Sequence, residues 1–262
     1  METLAGMKHP AFQEALALLK PASRQSSGWY LAEDLGLVEQ ALALPRASVR
    51  AIFATPEVAG GLSARCQAKG VPLYVASAGL LSKLVGTGYD TAVTAVAVVK
   101  QRLVSVGQLL DLGGLILAGE SIVDPRNVGV MVRTAEALGC AGLLLSADSA
   151  EPFSRPAVRS TTGSVLRLPI ALAADLPAAL AELSARGARV IASSGASKDE
   201  ASTLNFRQRP LVLVVGNEQS GISPAVAAAA HAIARLPMSP STGADSYNVT
   251  VAAGMLLYEA VR

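Results

Sequence analysis

The chain has 262 residues, 51% hydrophobic and only 16% charged, with a mean hydropathy of +0.42. At ~100–200 residues per domain this allows one large α/β domain or two modest ones, and it excludes disorder of the low-hydropathy, high-charge kind. Twenty-two Lys and Arg against 20 Asp and Glu give a net charge of +2, which neither demands nor forbids a polyanionic partner.

The apolar stretches at 92–99, 211–215 and 225–230 fall short of the ~18 consecutive apolar residues of a membrane span. The opening METLAGMKHPAFQE lacks the apolar segment of a secretory signal. A cytoplasmic protein without membrane attachment is expected. His9 and His231, with Cys66 and Cys140 far apart, offer no zinc-ligand cluster, no disulfide framework and no histidine partner for a nucleophilic serine. No metal is expected.

In chain order, a helical pattern at 12–19 precedes an extended run at 29–31, a helix at 35–44 and a β-branched strand at 49–54. A helix at 62–69, stopped by Gly70, leads to an extended segment at 71–76. This alternation implies a small sheet with flanking helices. Residues 77–85 read as a helix, Gly86-Thr87-Gly88 as a turn and 91–99 as a closing strand. A boundary near Gly107 then separates a small α/β domain, 1–106, with ten Lys and Arg against seven Asp and Glu, from a second, 107–262, with twelve against thirteen.

The second domain reads as strand, loop and helix units: strand 114–118, a loop through Asp124-Pro125-Arg126, helix 129–138 and strand 142–145. Segments at 156–159 and 165–168, helix 176–186, strands 189–192 and 211–215, helix 224–230, strand 232–236 and helix 249–261 follow. Unbroken apolar runs such as 143–145, 190–192 and 211–215 are the pattern of parallel strands buried on both faces. Ligands of such sheets sit beyond the carboxyl ends of the strands, where the polar residues of this chain collect.

Three segments there carry chemistry. In the first, Asn127 reads as a helix cap and Arg133 projects from the second turn; Glu136 is its nearest helical ion-pair partner, and a surface arginine behind an ordinary cap fits equally. In the second, Gly216 lets backbone approach a ligand, Glu218 can orient a polar group, and Ser223 with Pro224 starts a helix. In the third, Leu236-Pro237-Met238 precedes a loop at 240–244, Ser246 reads as a cap and Asn248 lies in the first turn of the last helix.

Taken in order, N-x-G-x-x-x-R-x-A from Asn127, V-G-x-E-x-x-G-I-S from Val215, and L-P-M from Leu236 followed by S-x-N-V-T-x-A from Ser246 resemble the SpoU branch of the SPOUT superfamily of RNA ribose 2′-O-methyltransferases. Phe153 and Arg159-Ser160-Thr161-Thr162-Gly163 resemble that family's connecting segment. The resemblance implies an α/β fold: a C-terminal SPOUT domain with a parallel sheet and a deep trefoil knot, preceded by a small α/β RNA-binding domain. It implies that Gly216, Leu236, Met238, Tyr247 and Asn248 line a site for S-adenosylmethionine. Asn127, Arg133, Glu218, Ser246 and Asn248 would be the catalytic constellation around the ribose. It also implies a homodimer packed through the knotted region, with each site able to borrow residues from its partner.

The third motif has extra residues between Met238 and Ser246 relative to the family pattern, and Tyr247 stands where an aliphatic residue is common. The first domain is similar, more loosely, to the family's ribosomal-protein-like RNA-binding domain. If it binds RNA, Lys20, Arg24, Arg46 and Arg50 are its phosphate contacts; by composition alone they are solvated surface charges. The resemblance favours 23S ribosomal RNA as substrate, with transfer RNA the alternative. A non-catalytic RNA binder or a small-molecule methyltransferase on the same fold are the readings from other classes.

Overall fold

Segments that are apolar without interruption occupy the middle of the sheets, because only there are both faces of a strand covered. The computed structural model describes residues 1–86, 93–239, 243 and 246–262. Positions 87–88 of the expected turn, 91–92 of the expected strand and most of the loop at 240–244 lie outside the described residues. The chain divides into two compact units, Met1–Gln101 with Phe153–Leu166, and Arg102–Pro152 with Arg167–Arg262.

The first unit contains β1 (Glu2–Thr3), α1 (Pro10–Ala17), α2 (Pro21–Ser27), β2 (Trp29–Glu33), α3 (Leu35–Ala43), β3 (Val49–Ala54), α4 (Pro56–Lys69), β4 (Leu73–Val75), α5 (Ala78–Val85) and β5 (Ala95–Lys100). The second begins with α6 (Val106–Asp111), β6 (Leu115–Gly119), α7 (Pro125–Ala137) and β7 (Gly142–Ser146). After α8 (Arg155–Ser160), which belongs to the first unit, the second continues through β8 (Ile170–Ala173), α9 (Leu176–Ala185), β9 (Arg189–Ser193), β10 (Leu211–Val215), α10 (Pro224–Ala229), β11 (Ala232–Ala234) and α11 (Val249–Val261).

Among the described residues the first unit's sheet has the order β1-β4-β3-β5-β2, with β5 antiparallel to both neighbours. Phe12, Phe53, Leu81 and Leu84 lie in the core that α1 and α5 build on it. The helix α2 has no apolar period to announce it; Pro21 at its start and Gly28 at φ +72 at its end are its only local signals. It carries Arg24, which is buried. Its Nη1 donates to the Leu18 and Leu19 carbonyls at 2.7 and 3.0 Å, just beyond α1. Carbonyls at a helix end lack intrahelical donors, and here the guanidinium supplies them. Arg24 is therefore a structural cation, not the surface phosphate contact expected of it; Lys20, Arg46 and Arg50 are exposed.

The expected boundary near Gly107 assigned 153–166 to the second domain, but this segment packs in the first unit. Arg155 Nε and Arg159 Nη1 donate to the buried carboxylate of Glu33 at 2.7 and 2.9 Å, and the Phe153 ring lies 5.2 Å from that of Tyr30. A carboxylate withdrawn from water needs such charged donors.

The second unit's sheet, entirely parallel, has the order β11-β9-β10-β6-β7-β8 among the described residues. The central β10 and β6 are buried throughout and pair in register from Leu211 and Leu115 to Val215 and Gly119. Leu109, Leu180, Leu183 and Val226 from α6, α9 and α10 join one core cluster with the sheet, while α7 and α11 pack on each other and against β6. Among the described residues no helix is long and apolar enough to cross a membrane.

Replacing Glu33 by Ala strands two partly buried arginines. We expect a loss of about 2–3 kcal/mol of stability by urea unfolding, against a change below about 0.5 kcal/mol for Glu39→Ala, which breaks only the exposed pair with Arg65.

Candidate active site

The chain leaves β6 toward β7 and β8 at one edge, then crosses to β9 and returns through β10 to lie beside β6. Strand order therefore reverses between β6 and β10, the place where parallel sheets open a crevice beyond their carboxyl ends. Two loops, 120–124 and 216–223, start there side by side.

Hydrogen bonds stitch the loops together. Glu120, buried at the end of β6, donates its N–H to the Val215 carbonyl at 2.9 Å and accepts from the Ser223 N–H at 2.8 Å. Asn217 Nδ2 donates to the Ser121 carbonyl at 2.8 Å, while its Oδ1 accepts from the N–H groups of Gln219 and Ser220 at 2.9 and 3.0 Å. The backbones of Asn217 and Gly221 also exchange hydrogen bonds, closing a turn so tight that a Cβ at Gly216 would fall 2.2 Å from the Gly221 carbonyl carbon. Ser121 is held at φ +53, and its hydroxyl donates to Asp148. Hydrogen bonds from the Ser121 hydroxyl, the largest cause, from the Ser146 hydroxyl and from its own backbone N–H hold the Asp148 carboxyl below the ordinary carboxylate range, against the opposing effect of burial.

On this frame sit three of the expected residues. Glu218 Oε1 accepts from Asn127 Nδ2 at 2.7 Å, and its Oε2 accepts from the Val123 N–H at 3.3 Å. A carboxylate only accepts, so the Asn127 amide must turn its nitrogen toward Glu218 and its oxygen away. That oxygen accepts from Asn248 Nδ2 at 3.4 Å. Burial alone would push the Glu218 carboxyl up, but hydrogen bonds from Asn127 and from the backbone N–H groups of Glu218, Val123 and Asp124 outweigh it and hold the carboxyl below its usual range.

Local structure differs from expectation at both helix starts. The cap of α7 is Asp124, whose side chain accepts from the Arg126 N–H at 2.8 Å, so Asn127 lies inside the first turn. Pro125 decides this, since proline is favoured at the first helical position. The cap of α11 is Asn248, accepting from the Thr250 N–H at 2.9 Å, and Ser246 is exposed two residues earlier. The strand expected over 232–236 ends at Ala234. Leu236 and Met238 follow it as half-buried irregular backbone, tied to the next segment by the Tyr247 hydroxyl donating to the Pro237 carbonyl at 2.9 Å.

Arg133 is exposed and makes no hydrogen bond or ion pair with another described residue. Six residues along a helix place it ~9 Å and about 120° around from Asn127. Glu136, expected to pair with it, instead binds Arg167. Glu120 and Asn217 escape a reading of the sequence by type, although a carboxylate directly after a buried strand and an amide between Gly216 and Glu218 were their visible signals.

Residues 114–258 match the model of the SpoU rRNA methylase family. A protein of Synechocystis sp. named an uncharacterized tRNA/rRNA methyltransferase is 31% identical over 263 residues, covering 99% of this chain and 93% of that protein. The crystal structure of an AdoMet-bound rRNA methyltransferase from Sinorhizobium meliloti matches with a TM-score of 0.85 at 29% identity, over 98% of this chain and 96% of that one. A crystal structure titled RNA 2′-O ribose methyltransferase matches with a TM-score of 0.74 at 26% identity, over 99% of this chain and 98% of that one.

Asn127→Ala removes the largest of the bonds that lower the Glu218 pKa, so carbon NMR of the carboxyl should show its midpoint rise. The sign for stability follows: a depressed carboxyl stabilises the fold above its unfolded pKa, the ordinary glutamate value, and this is lost as pH falls through the lower folded value. The variant should show less of that acid-limb slope in pH-dependent unfolding; an unmoved midpoint would contradict the geometry.

Proposed function

The chain belongs to the SpoU rRNA methylase family, and from that premise we propose that it methylates a ribose 2′-hydroxyl of RNA, 23S ribosomal RNA rather than transfer RNA, using S-adenosylmethionine. The observation that carries this reading is the hydrogen-bonded series Glu218, Asn127, Asn248 at the reversal of strand order. The ribose assignment and the choice of ribosomal RNA draw on the relatives' named activities.

The residues present fit the cofactor. The backbone N–H groups of Leu236 and Met238 make no hydrogen bond to another described residue, and both side chains are half-buried and apolar. Open backbone donors beside apolar side chains suit an adenine ring and its ribose. Gly216, Leu236, Met238, Tyr247 and Asn248 would hold it, and when bound it supplies an electrophilic methyl group on a sulfonium.

The chain's own work is positioning. A displacement needs the hydroxyl oxygen in line with the methyl, and alignment of this kind supplies a large share of a barrier reduction. Asn248 and Ser246 bind the ribose, with the Asn248 amide fixed by its cap on α11 and its contact with Asn127. Glu218, held ionised and occupied by Asn127 and Val123, orients these amides and is a poor proton acceptor. Arg133 stays protonated at any working pH, so it clamps the neighbouring phosphate and stabilises charge growing on the oxygen.

Arg133 points to a different face of α7 from Asn127, which favours service to a second protomer. We place the homodimer interface on the C-terminal region, where α11 exposes Val251, Tyr258 and Val261 at 49, 59 and 45%, and infer the family's trefoil knot there. The RNA substrate places the enzyme in the cytoplasm.

The test is transfer of labelled methyl to total ribosomal RNA and, separately, to total transfer RNA. Label in ribosomal RNA, reduced about 10²–10³-fold by Arg133→Ala with cofactor binding intact, is expected. Label in transfer RNA alone overturns the substrate, and no label in either pool despite cofactor binding overturns the RNA reading. Mixing inactive Asn127→Ala and Arg133→Ala protomers should restore activity, because one site of each mixed dimer is then complete. No restoration would place Arg133 in its own protomer's site.

A further inference from the structure

A cleft of about 540 Å³ in the first unit takes no part in the chemistry above. Its size lies in the range of small-ligand sites, ~300–1,000 Å³. Trp29, Tyr74 and His9 line it, with Arg50, Glu14 and Ser26 among the residues around them. The Tyr74 ring stacks on buried Phe53 at 5.3 Å and meets His9 at 5.1 Å, so it is pinned from beneath.

Two cations stand over the Trp29 ring: Arg50 Cζ at 5.8 Å and Lys100 Nζ at 5.2 Å from its centroid. The sheet builds this group. Trp29 pairs with Lys100 across β2 and β5, and Arg50 occupies the irregularity between Val49 and Ala51, where β3 shifts register against β5. Such a bulge re-aims a side chain. Their anionic neighbours are few: Arg50 pairs with exposed Glu14 at 2.9 Å, and Lys100 donates to the Ser27 carbonyl at 3.3 Å. His9 Nε2 lies 3.2 Å from Glu2 Oε1, while its Nδ1 is buried with no hydrogen-bond partner among the described residues.

We propose that this cleft is a nucleobase subsite, taking one unstacked base of an RNA strand, with the adjoining phosphate on Arg50 and Lys100. Unpaired RNA bases are held by aromatic rings and guanidinium planes, with cations tracking the backbone. A simple anion would leave the rings unexplained, and an apolar ligand would leave the two cations unexplained. The proposal rests on RNA being the substrate and names where the first unit grips it.

Trp29 is the chain's only tryptophan, so its emission reports on the cleft without any methyl transfer. Titration of the full chain with the pentanucleotide r(A)5 should quench Trp29 saturably, with affinity that falls as salt rises and exceeds that for an inorganic polyphosphate of similar charge, which has no base. Arg50→Gln, which removes the charge, and Ser26→Phe, an exposed position at the mouth, should each weaken binding about tenfold while S-adenosylmethionine binding is unchanged. No quenching by r(A)5, equal quenching by the polyphosphate, or quenching that both variants retain would overturn the subsite even if ribosomal RNA is methylated. Quenching that behaves as described in a protein that methylates no RNA would overturn the substrate reading and leave the subsite standing.

Discussion

Two parallel strands, β6 and β10, end level with each other, Gly119 opposite Val215, and the site exists because the loops leaving them are bound into one surface. Those loops would otherwise leave backbone donors without protein partners. Two carboxylates answer this: Glu120 accepts from Ser223, and Glu218 accepts from Val123 and Asn127. Hydrogen bonds to charged groups contribute about 1.5–3 kcal/mol each, enough to hold segments ninety-odd residues apart in one geometry.

From that clasp the order of the site propagates outward. Glu218 fixes the Asn127 amide, whose oxygen receives Asn248, and Asn248 is at once the cap of α11. A capping side chain has its rotamer set by the helix it starts, so the Asn248 amide is placed from two sides before any ligand arrives. Catalysis by alignment requires such preorganisation. The exposed Arg133 lies outside this network.

Much of this was legible in the residues. Leu211–Val215 declares itself because burial on both faces leaves an unbroken apolar signature, and Val249–Val261 because Thr250, Tyr258 and Glu259 alone interrupt its run of apolar and small residues. Asn127, Glu218 and Asn248 stand out as polar residues beyond buried strands, and their meeting follows from the parallel sheet. What could not be read depends on tertiary partners. Arg24 is a surface cation until α1 offers it two bare carbonyls. Residues 153–166 belong to the second half by sequence, yet the buried Glu33 draws Arg155 and Arg159 to the first unit. Asn217 has a role only once Ser121 is known to lie beside it. The helix start at Pro125 was open to local reading, since Asp124 and Asn127 are both good caps and the proline chooses between them.

In the proposed reaction these fixed amides present a ribose hydroxyl, not a base atom, for methylation. Alkaline hydrolysis of RNA labelled by the purified protein tests it most directly, because cleavage at each phosphate requires a free 2′-hydroxyl. Label is expected to survive in alkali-resistant dinucleotides; label released wholly in mononucleotides would place the methyl group on a base and overturn the ribose assignment.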